Sequence, residues 1–114
     1  MSLENPNTVD AIGIEKDTGR AILTIVDSWD WADKKRHLLA LQEKLNAYFN
    51  FVESGEIYES YPKAAGRKII IDIIGRFSVP KEGLSFLEKA NEARADLGIK
   101  VRYVPSSDSQ AQPN

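Results

Sequence analysis

The sequence predicts an α/β two-layer sandwich of order ββαβαβ, a four-stranded mixed sheet with two helices packed on one face. Three patterns carry that expectation. A hairpin signal stands near the N-terminus, a long apolar stripe at helical spacing follows, and an alternating strand precedes a second helical stretch and a last strand.

Val9 to Glu15 and Arg20 to Asp27 read as the two strands of the hairpin. Between them Lys16-Asp17-Thr18-Gly19 supplies the Asp and Gly that hairpin turns need. Over Ser28–Val52, Trp31, Leu38, Leu41, Leu45, Tyr48 and Val52 fall on one helical face. Ser28 or Asp30 caps this helix, Asp30 and Asp33 put negative charge at its positive end, and Gly55 closes it. At 1.5 Å per residue it spans about 36 Å against about 23 Å for a seven-residue strand, so one end overhangs the sheet. A loop from Gly55 to Gly66 follows.

Arg67 to Phe77 is the strongest strand. Ile69, Ile71, Ile73 and Phe77 point to the core beneath the helices. Ile70 and Ile74 share the opposite, uncovered face with Lys68, Asp72 and Arg76. A second helix runs from about Lys81 to Leu97, with Phe86, Leu87, Ala90, Ala93 and Leu97 as its stripe and Gly98 as its C-cap. Ile99 to Val104 is the last strand. Two right-handed crossovers give the sheet order 1-2-3-4, with the first strand antiparallel to the rest. Residues 1–8 are expected as an irregular lead-in, 9–104 as one domain and 105–114 as a disordered tail.

Three segments together resemble a family: Val9-Asp-Ala-Ile-Gly-Ile with Thr18-Gly19, Trp31 through His37-Leu-Leu-Ala-Leu-Gln-Glu-Lys-Leu-Asn-Ala-Tyr, and Glu53-Ser-Gly-Glu to Tyr61-Pro62 leading to Gly66-Arg67. The chain resembles, over about residues 5 to 104, a small bacterial family catalogued as domain of unknown function 6572. That resemblance implies a fold and no activity.

Fifteen basic and seventeen acidic residues give a formal charge of −2, which argues against a nucleic-acid partner. The absence of cysteine removes disulfides, thiol catalysis and thiolate metal sites. No apolar run reaches the roughly 18 residues of a membrane span, and the first ten residues lack a signal-peptide core, so a cytoplasmic location is the default expectation.

His37 is the only histidine. Asp33 and Asp30 stand four and seven residues before it on one flank of the helix, a set able to orient a base or hold a metal. The plainer reading makes Asp30 a cap, Asp33 a dipole partner and His37 an edge residue paired with it. Lys34-Lys35-Arg36 points in three directions and reads as solvated surface. Gly19-Arg20, Gly66-Arg67 and Gly75-Arg76 lack the spacing of a phosphate cradle.

Leu39 and Phe51 lie off the apolar stripe, and Tyr58 and Tyr61 sit in the long loop. They either pack on a folded-back loop or face a partner. Catalytic residue types are scarce, so the leading expectation is a non-catalytic module that associates with itself or another protein, without a cofactor. Ile70 and Ile74 are its candidate contact residues. A small-molecule site or enzyme at the 55–66 loop, the helix end and Arg67 is the second expectation.

Overall fold

The computed structural model describes Leu3 and residues 9–105. The expected lead-in and tail lie outside those residues, apart from Leu3, which is buried in the core, and Pro105, which ends the last strand. The described chain forms β1 (Ala11–Ile14), β2 (Ala21–Asp27), α1 (Lys34–Glu53), α2 (Glu56–Ser60), β3 (Ile69–Gly75), α3 (Lys81–Ala93) and β4 (Ile99–Pro105). Short 3-10 turns occupy Pro62–Ala64 and Ala95–Leu97.

The sheet order is β1-β2-β3-β4, with β1 antiparallel to β2 and the other pairs parallel, as the sequence predicts. The hairpin turns at Gly19, whose φ of +74° favours glycine. Leu23, Ile25, Ile71, Ile73, Ile99 and Val101 line one sheet face and pack with Leu41, Leu45, Tyr48 and Phe49 of α1 and Leu87 of α3. Among the described residues the opposite face carries no helix.

Several boundaries differ from expectation, each for a local reason. The long helix starts at Lys34, not Ser28. The Asp27 carboxylate accepts from Trp29 N–H and the Asp30 carboxylate from Ala32 N–H, so two side-chain turns hold residues 27–32 out of helical geometry. Asp33 is the N-cap, accepting from Arg36 N–H at 3.1 Å. The expected 55–66 loop contains α2 and a 3-10 turn, because Ile57 and Ala64 are apolar anchors that become fully buried. The described residues therefore form three α-helices, with α2 a single short piece.

Phe77 leaves the core face. A Cβ on Gly75 would lie 2.0 Å from Tyr103 Oη, so the tyrosine occupies that end of the core face. The strand stops at Gly75, and Phe77 stands exposed. α3 ends at Ala93, which faces solvent rather than completing the stripe. Asn91 of α3 meets the outer edge of β4. Its amide accepts from Val101 N–H at 2.8 Å and donates to Val101 C=O at 3.0 Å.

Candidate functional site

Strand register arranges the open face in rows. Ile22 sits beside Ile70 and Lys100; Thr24 beside Asp72 and Arg102; Val26 beside Ile74 and Val104. Arg20 and Lys68 continue the first end of β2 and β3, where Ala21 N–H donates to Lys68 C=O. The middle row is fixed by a two-pronged ion pair, Arg102 Nε and Nη2 on the Asp72 carboxylate at 2.7 and 2.9 Å. The Asp72 hydrogen bonds hold the Arg102 proton more tightly than usual. Glu15, paired with Arg20 at 3.4 Å, is pushed below the usual carboxylate range, first by the Thr18 hydroxyl and also by Arg20.

Ile70 and Ile74 do lie on this face, but not as two exposed isoleucines. Ile70 is only 3% exposed and stands outside the main core cluster. Ile22 and the stems of Arg20, Lys68 and Lys100 surround it, so the charged residues cover it with their methylenes. Ile74 is half-buried, and its neighbour Val26 is 45% exposed. The far end of the face is therefore apolar and the near end cationic.

The helical side holds a different polar group. His37 is buried, not at an edge, because the turn at 27–32 folds over it. Its Nε2 lies 2.6 Å from the Asp27 carboxylate and its Nδ1 2.9 Å from the Asp30 carbonyl oxygen. Nδ1 donates to that carbonyl and Nε2 pairs with the carboxylate, so both ring nitrogens have a partner. Trp31 stacks on the imidazole, centroids 3.6 Å apart, and Trp29 tilts against it at 5.6 Å. The expected trio is not assembled: Asp30 contributes its backbone and Asp33 is spent on the cap. Among the described residues no group of three histidines or carboxylates can hold a metal ion. With both nitrogens committed and both side chains out of solvent, the pair holds the β2–α1 connection and offers no accessible base.

Asp27 carries no mark of its own in the sequence beyond its parity. It follows Ala21, Leu23 and Ile25 on the core face of β2, and a carboxylate there requires a partner. Lys44 is hidden likewise, fully buried, 3.3 Å from the Asp10 carboxylate and over the Tyr48 ring. The Tyr48 hydroxyl donates to Thr24 C=O and accepts from Asp10 N–H. Burial pushes the Tyr48 phenol up to about 12. Tyr103 is pushed to about 12 by burial and then by the Asp27 charge, while the nearby Trp31 indole pulls the other way. Trp31 Nε1 nonetheless falls short of hydrogen-bond geometry and remains a buried donor without an acceptor.

The remaining candidates are scattered. Leu39, 54% exposed, borders a groove with Leu3 and Trp29. Phe51 packs partly on the core and lines a separate groove of about 530 Å³ with Tyr48 and Glu56. Tyr58 is exposed on α2, and Tyr61 packs against the core. Arg67 is a clamp: its guanidinium donates to Lys63 C=O and Gly19 C=O, pinning the hairpin turn to the chain before β3.

The model of a family of unknown function, DUF6572, matches residues 1–107. The chain belongs to the DUF6572 family. The expected resemblance is thus shown over nearly the whole chain. No curated protein and no solved structure matches it. DUF6572 membership therefore assigns no activity, and the site geometry is what speaks to function. No helix among the described residues is long and apolar enough to cross a membrane.

Proposed function

We propose that this chain is a non-catalytic association module whose contact surface is the apolar end of the open face, met by a second copy. The observation that supports it is the row Val26, Ile74 and Val104, three branched apolar residues in register with no helix of the described residues over them. A two-fold overlap of these rows matches like with like and carries the cationic ends apart. The row crosses three strands, about 10 Å from first to last, so the overlap is small for a protein interface and the dimer forms at micromolar rather than nanomolar concentration. Light scattering tests this. At about 50 µM the wild type should exceed its monomer mass of 12.8 kDa, and V26K with I74K should restore that mass. A wild type monomeric at that concentration overturns the reading.

A second reading rests on the groove of about 530 Å³ at the C-terminal end of α1, whose lining mixes Val9 and Phe51 with Asn50 and Glu56. It takes a small ligand there. Its support is a concave site of ligand size beside the 55–66 segment.

A further inference from the structure

The near end of the open face has a chemistry of its own. Arg20, Lys68, Lys100 and Arg102 stand on this face with, among the described residues, only Glu15 and Asp72 as carboxylates, in a chain whose formal net charge is −2. Lys68 and Lys100 are exposed and have no acidic partner among the described residues. Arg20 has a long contact to Glu15, and its Nε is buried without an acceptor. Arg20, Lys68 and Lys100 line a shallow groove of about 440 Å³, with Ile70 also in its wall and Asn91 and Gly98 at its β4 side.

We propose that this groove binds an acidic segment of another protein in extended conformation, its carboxylates meeting Arg20, Lys68 and Lys100 and an apolar side chain lying by the half-buried Ile22. Charge complementarity supplies the direction: a local cationic excess on an acidic chain selects an anionic partner. The surrounding residues choose between kinds of anion. A continuous phosphate track would pass Glu15 and Asp72, which repel it, whereas carboxylates spaced along a peptide avoid them. The face also has no aromatic side chain among its described residues, so bases have nothing to stack on. Half-buried Ile22 and the methylene stems that cover Ile70 suit a peptide's apolar side chain instead. The segment does not extend the sheet at Val101, because Asn91 already occupies the backbone groups there.

The inference stands apart from self-association, which uses the other end of the face and is read by mass. Its test is fluorescence anisotropy with three labelled probes: an alternating Glu-Leu peptide, the same peptide with Gln for Glu, and an oligothymidylate. The acidic peptide should bind with a dissociation constant of about 10–100 µM and weaken about fivefold or more between 0.05 and 0.5 M salt. The Gln peptide should bind at least tenfold more weakly. K68E with K100E should cost tenfold or more, while K35E with K81E, an equal charge change at exposed sites elsewhere, should leave binding within twofold. Thermal melting of each variant checks that the fold is intact. Failure of the acidic peptide to bind at 1 mM, tighter binding of the oligothymidylate, or equal losses in the two double variants would each overturn the proposal.

Discussion

The two faces of the sheet each carry a carboxylate paired with a nitrogen-bearing side chain, and the pairs do unlike things. On the covered side Asp27 and His37 are almost wholly out of water, and every hydrogen-bonding atom is engaged. On the open side Asp72 and Arg102 share a better two-pronged geometry but remain partly wet. In water a broken pair is rehydrated; in the core the survivor has no substitute partner. Burial, more than geometry, therefore decides what each pair contributes. The covered pair holds the chain in place, whereas the open pair shapes a surface.

Substitutions separate the two cases. His37→Ala should produce the largest loss, about 3–5 kcal/mol, because it strands the Asp27 carboxylate and removes the ring under Trp31. Urea unfolding measures this, and a loss below about 1 kcal/mol, the size appropriate to an exposed helix edge, would erase the contrast. Alkaline titration sharpens it on the covered side. Tyr48 and Tyr103 ionise at about 12 in the fold against 10 when exposed. A folded pKa above the unfolded one means their contribution is complete below pH 10 and is lost between about 10 and about 12. Stability should fall across that window, and Tyr103→Phe should lessen the fall, read as melting temperature against pH. Arg102→Ala should be the mildest change, about 1 kcal/mol or less, with unfolding midpoints barely moved.

What the sequence makes legible follows sequence distance. The hairpin and the α1 stripe rest on local patterns, the strand order on the handedness of short crossovers, and all are present in the structure. Phe77 was unreadable as an exposed residue because β3 ends where Tyr103, on another strand, fills the space beside Gly75. Trp31 fits a helical stripe numerically, yet two aspartate side chains upstream and in the turn capture the backbone first. His37 stands out as the only histidine, while its true partner stands ten residues back on a strand. The parity of β2 contained that information. Lys44 and Asp10, 34 positions apart, had no such signal. Ile70 shows the limit of alternation: period two gives the face, not the exposure, which the stems of neighbouring lysines and arginines decide.

The amide of Asn91 has a consequence for how chains treat one another. β4 is an edge strand, and edge strands invite foreign strands to zip alongside. With its donor and acceptor set against Val101, Asn91 imitates one residue of the neighbour that is absent, and Pro105 contributes no N–H further along. The guard belongs to α3, so it exists only after that helix docks. Before docking, Ile99, Val101 and Tyr103 lie along a bare rim, and crowded, half-folded chains can join there into polymers. Seating α3 quickly is thus a matter of staying soluble as well as of completing the core.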